Sequence, residues 1–268
     1  MADTKSNQPG IMPPELVERV FSTAGDDVIL VGGQALKFWM DHYDVRQPLH
    51  MIAVTRDVDF FSPSASDVDV VMRFAEAIEG QYAISKNHLS ALVGMAYVQL
   101  DEHRVANVDV LHRVIGIERA KLQQRAVDVE DVQGRHMRVM HPLDVLISRN
   151  INLHLLAEKQ TEAGHQQLNL AIEVARCFLE SRADVIPSEA ARELLDTFRP
   201  VMELARGGAA KKNATRFGIH VADAYPAYRV PADSCFWEKQ WPYLRQAMSE
   251  EYADYCEDRR PAPRSPGP

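Results

Sequence analysis

Cysteine is scarce in this chain: Cys177, Cys235 and Cys256 stand far apart, and none belongs to a CxxC pair. That excludes a zinc site of the usual spacing, and the odd, sparse set reads as reduced thiols in a cytoplasmic protein. Long apolar runs are missing as well. Nothing approaches the ~20 residues a membrane-spanning helix needs, and the opening MADTKSNQPG lacks the apolar stretch of a secretory signal. Positive charge is in deficit, with 30 Lys and Arg against 38 Asp and Glu and a formal net charge of -8. Such a balance argues against broad electrostatic capture of nucleic acid, while leaving room for a local basic patch. The ten histidines form no HExxH or similar cluster, so surface or satisfied roles are expected of them.

What is present is ordinary for a globular protein: 268 residues, 46% hydrophobic and 25% charged, enough for one large domain or two small ones. Residues 1–12 and 259–268 are polar or proline-rich and are expected to be disordered. Pro13-Pro14 before ELVERVF suits a short helix. The run Val28 to Val31 reads as a strand closed by Gly32-Gly33, and Leu36, Trp39, Met40 and Tyr43 recur at helical spacing after it. A second strand carries TRDVDFF, and a helix follows to about Glu79. Ala96–Leu100 and Val105–Leu111 read as strands joined by a polar turn, Val127–Val139 as a hairpin, and residues from Pro142 onward as helices. The class is α/β (α+β): a mixed sheet with helices over 13–140, then an α-helical region over 141–258.

The chemistry begins with Asp57 and Asp59. On a strand, alternate side chains share a face, so these carboxylates point the same way with Cα atoms about 6.5–7 Å apart. Asp109, in NVDVL, can join them if its strand pairs beside the first. Three acids so close repel one another, and magnesium, which takes hard oxygen ligands and keeps substrate phosphates in its remaining positions, removes the conflict. Metal-assisted phosphoryl or nucleotidyl transfer is the expected chemistry. A DxD alone is common, and it also suits a solvent-facing strand edge or a metal-dependent glycosyltransferase.

Gly32-Gly33 adds a second part. The pair ends a buried strand and opens a helix, where free N–H groups and the helix dipole favour an anion. Without β-carbons a phosphate can approach the backbone. No Gly-Lys-Ser/Thr follows, so this is not a P-loop, and GGQALK lacks the third glycine of a dinucleotide-binding fingerprint.

Together VILVGGQALKFW, TRDVDFF and VANVDVLHRVIG resemble the DNA-polymerase-beta-like nucleotidyltransferases, in which a glycine pair precedes a Dx[DE] strand and a third carboxylate. More narrowly they resemble prokaryotic GGxA…TxDxDF proteins related to abortive-infection nucleotidyltransferase toxins, over about residues 27–160. The resemblance implies that Gly32 and Gly33 hold the triphosphate of an NTP such as ATP. It also implies that Asp57 and Asp59 bind magnesium, and that Asp109 completes the metal site and activates the attacking hydroxyl. It further implies an RNA, protein or small-molecule acceptor, and a toxin or phage-defence role with an antitoxin-like partner. The gap between Gly33 and Asp57 exceeds that of the compact motif and leaves room for a loop over 44–53. Of the toxins' downstream Lys-Asp pair and further Asp, only Lys159 has a match.

Other residues carry weaker signals. Arg149, Asn152 and Lys159 lie near one helical face and could touch a nucleotide, although a solvated face is the plainer reading. Arg199, Arg206, Lys211, Lys212 and Arg216 form a basic island that could receive RNA phosphates; a glycine-containing loop with ordinary charges is the plainer reading. Trp237 and Trp241, at i and i+4, suit a helix core. Beside the enzyme stands an alternative of another class, a catalytically silent nucleotide-binding or partner-binding module of the same fold.

Overall fold

The structure, a computed structural model, describes residues 8–9, 12–46, 57–87, 89–130, 134–187 and 190–262. The chain divides into two compact units, Met1–Phe38 with Val54–Val145 and Trp39–Ala53 with Leu146–Pro268.

The first unit opens with β1 (Gln8–Pro9) and α1 (Pro14–Thr23), the latter begun by Pro14 at a position where a missing N–H costs nothing. The buried β2 (Ile29–Val31) runs directly into α2 (Gly32–His42). β3 (Val58–Phe61), α3 (Val68–Ala77), β4 (Gln81–Ile84), β5 (Leu92–Gln99) and β6 (Arg104–Leu111) follow. Then come α4 (Arg119–Arg125), β7 (Val127–Glu130), β8 (His136–Val139) and α5 (Pro142–Leu155). By that division α2 and α5 begin in the first unit and end in the second.

Among the described residues one mixed sheet holds eight strands, seven in the order β4-β5-β6-β3-β2-β8-β7 and the short β1 paired in parallel with the start of β6. β6 is an interior strand, antiparallel to β5 and parallel to β3. Alternation along it is strict: Ala106, Val108 and Val110 are fully buried, while Asn107 and Asp109 between them are half-buried. On the apolar face Phe60 of β3 stacks on Phe74 of α3 at 4.6 Å and meets Phe21 of α1 edge-on at 6.4 Å. A fully buried Phe of this kind contributes about 3–5 kcal/mol relative to Ala. That packing fixes β3 with its odd-numbered residues on the other face.

Several elements depart from the sequence reading. β4 and α4 were not expected: β4 is an exposed edge with no apolar alternation, and α4 buries only Leu122. Arg125 ties α4 to α5 through an ion pair with the buried Asp144 at 2.9 Å. Of the tails read as disordered, residues 1–7, 10–11 and 263–268 lie outside the described residues. Gln8–Pro9 pairs with Arg104–Val105, Met12 is buried, and Arg259 and Arg260 lie over the rings of Tyr255 and Trp237. Thr55 and Arg56, most of the loop over 44–53 and Gln133 of the expected hairpin turn also lie outside the described residues.

The second unit is helical: α6 (Glu162–Val185), α7 (Ala191–Arg206), α8 (Gly208–Phe217), α9 (Phe236–Lys239), α10 (Trp241–Arg245) and α11 (Glu250–Asp258). Thr161 caps α6 by accepting from the Gly164 N–H, and Ser249 caps α11 by accepting from the Tyr252 N–H. Tyr225 is the hub of the core, stacked on Phe236 at 5.6 Å and edge-on to Phe198 at 5.2 Å. Trp237 and Trp241 are buried with ring centroids 5.2 Å apart, from two successive short helices. Among the described residues no strand follows β8, and no helix is long and apolar enough to cross a membrane.

Two surface readings are corrected here. The basic island is helical: it occupies α7 and α8, and an Ala-rich GAAKKNATRF helix ends at Gly218 in the left-handed conformation (φ 67°) that glycine adopts without strain. Arg149 is not on a solvated face. It is buried, and its Nη1 donates to Gln167 Oε1 at 3.1 Å.

Candidate active site

The register decides the site. Val31, Asp59 and Asp109 lie side by side across β2, β3 and β6: Val31 is the Cα partner of Asp59, and Asp59 of Asp109. Adjacent strands are about 4.8 Å apart, so the two acids rise next to each other from the sheet. β3 begins at Val58, which leaves Asp57 at its mouth, half-buried and outside the ladder. The far end of β3 is held by Ser62, whose N–H donates to the Leu111 carbonyl at 2.7 Å and whose hydroxyl donates to Asp67.

Gly32 closes the other side. It has φ +67°, and a Cβ added there would lie 1.9 Å from Asp59 Oδ2 and 2.9 Å from Asp59 Cβ. Only a residue without a side chain lets the strand turn into α2 while the Asp59 carboxylate occupies that space. Gly33 is the next residue of the helix. We therefore expect Gly32→Ala to lower thermal stability by at least several degrees. The left-handed backbone alone costs an L-residue about 1–2 kcal/mol, and the overlap with Asp59 adds to that. Gly208→Ala is the matched control, because nothing lies within 4 Å of a Cβ added there. Equal melting curves for Gly32→Ala and the parent would remove this steric argument.

Electrostatics separate Asp109 from an ordinary surface acid. Burial pushes its carboxyl above the usual carboxylate range, and the hydrogen bond that Asn107 Nδ2 donates to Asp109 Oδ1 at 3.0 Å opposes the shift only in part. Asn107 was not singled out in the sequence, although its position two residues before Asp109 places it on the same face. A carboxyl that holds its proton more tightly than usual is a suitable acceptor for a hydroxyl proton near neutral pH.

The structure thus brings Gly32, Asp59 and Asp109 together in the first unit, with Gly33 and Asp57 adjoining in sequence. Lys159 belongs to the second unit, exposed on the one-turn 3-10 helix Ala157–Lys159. Asn152 is half-buried on α5. Among the described residues no group of three or more His, Cys, Asp or Glu side chains is arranged to hold a metal ion. The donors that do converge are two carboxylates, hard oxygen ligands of the kind magnesium takes in ones and twos when phosphates complete its shell. No protein-family model matches the chain, and no curated protein matches it.

Proposed function

We propose that the chain is a magnesium-dependent nucleotidyltransferase, moving a nucleotidyl group from an NTP to an acceptor hydroxyl. The observation that carries the reading is the in-register pairing of Asp59 with Asp109 on parallel strands, beside a left-handed Gly32 pressed against the Asp59 carboxylate. The backbone of Gly32-Gly33 at the mouth of α2 receives the triphosphate. Asp59 and Asp109, with Asp57 at the entrance to β3, hold magnesium. When bound, that ion supplies charge neutralisation on the phosphates and on the leaving pyrophosphate. The chain's own contribution is positioning, and Asp109 takes up the acceptor's proton as its oxygen bonds to the α-phosphorus. A glycosyltransferase needs no third acid paired beside its DxD, so the Asp109 register disfavours that competitor. The toxin role and antitoxin-like partner rest on the sequence resemblance alone.

One observation favours a second reading, a silent nucleotide-binding module: the described residues lack a metal-holding cluster of three. Incubation with each α-labelled NTP and magnesium, with total RNA or cell extract as acceptor, separates the two. Label transfer supports the enzyme. Saturable NTP binding without transfer supports the module, and absence of NTP binding overturns both readings.

A further inference from the structure

The basic island on α7 and α8 borders a cleft of about 640 Å³ in the second unit, within the size range of small-molecule sites. Met202, Ala205, Ala210, Ala214 and Leu244 give it an apolar wall, and at the three alanines the side chains are no longer than a methyl group. Tyr243, largely exposed, stands at the rim. Arg206, Lys211 and His220 are the ionisable side chains of the lining besides Tyr243, and no carboxylate is among them. His220 Nδ1 lies 3.0 Å from the Ala247 carbonyl, so Nδ1–H donates there and Nε2 is the ring's remaining polar atom.

The charge pattern is selective. Arg199 on α7 is paired with Asp196, and Arg245 on α10 with Asp254 and Glu257. Among the described residues Arg206 and Lys211 have no such ion pair, in a chain whose formal net charge is -8. Cations left without an ion pair beside an apolar wall complement a ligand that is apolar at one end and anionic at the other. We infer that this cleft binds a planar aromatic anion, its ring against the alanine wall and its carboxylate, sulfonate or phosphate toward Arg206 and Lys211. The inference is independent of the nucleotidyl-transfer reading.

The probe is 1-anilinonaphthalene-8-sulfonate, titrated into the full chain and followed by fluorescence. One saturable site is expected. The double variant Arg206→Glu/Lys211→Glu should bind at least about tenfold more weakly, with an unchanged circular dichroism spectrum because both side chains are exposed. Ala214→Leu, which keeps every charge but fills the wall, should weaken binding as well. Lys212→Glu/Arg216→Glu alters the neighbouring groove and should leave the affinity unchanged. In competition 2-naphthoate should displace the probe, and uncharged 2-naphthol should do so at least about tenfold less well. Absence of saturable binding overturns the inference, as does indifference to Arg206→Glu/Lys211→Glu or equal displacement by 2-naphthol. Equal losses in the two double variants also overturn it, in favour of an extended surface for a polyanion such as RNA.

Discussion

Asp59→Asn is expected to abolish magnesium-dependent NTP binding and turnover together. Asp59 stands between Val31 and Asp109 in the sheet, with its carboxylate against Gly32, so it adjoins both the helix mouth and the second acid. The amide is nearly isosteric and keeps the packing of Val58 and Phe60 on the opposite face. It removes one of two adjacent negative charges, so stability without metal should hold or rise. Magnesium then loses the carboxylate that lies against the Gly32-Gly33 turn, where the phosphates of its shell would sit. Titration calorimetry with NTP, with and without magnesium, reads the binding. Parent-like affinity and turnover in a folded Asp59→Asn protein would sink the metal-site assignment.

Asp109→Asn should behave differently. NTP binding should survive within a few-fold, since Gly32-Gly33 and the Asp57/Asp59 pair remain, while transfer falls by roughly 10²–10⁴, the usual worth of a positioned general base. The pH profile adds a second readout. Burial holds the Asp109 carboxyl above the ordinary value of 3.8 in the metal-free protein and a bound cation would draw it back down, so the parent should lose transfer as pH falls through the carboxylate range. Below that range the group is protonated and cannot accept the acceptor's proton. The residual activity of Asp109→Asn should lack this acid limb. Equal losses in binding and transfer would make Asp109 structural, and parent-like turnover would remove it from the site.

Much of this arrangement can be read from side-chain period alone. VILV before Gly32-Gly33 is a short apolar run cut by glycine, and NVDVL alternates so cleanly that Asp109 must face away from Val108 and Val110. What the pattern does not carry is partnership. Nothing in VANVDVL says that β6 lies beside β3 in parallel, with Asp59 opposite Asp109; that depends on how Phe60, Phe74 and Val108 share one core. The helix α8 was missed because alanine and lysine give no apolar repeat, and β4 because an exposed edge strand needs no alternation. Gly32 was read as a phosphate approach; its steric conflict with Asp59 is visible only once β2 and β3 are placed antiparallel.

The strand order has a further consequence during synthesis on the ribosome. β2 and β3 are antiparallel neighbours and can pair as soon as both have emerged, which places Gly32 against Asp59 early. The other edge of β2 waits for β8, where Leu30 pairs with Val139, and until then Ile29–Val31 presents an apolar strand with unpaired backbone groups. Such an edge recruits other strands. Fragments ending before His136 should therefore aggregate, as light scattering would read, even though Asp59 and Asp109 are both present in them.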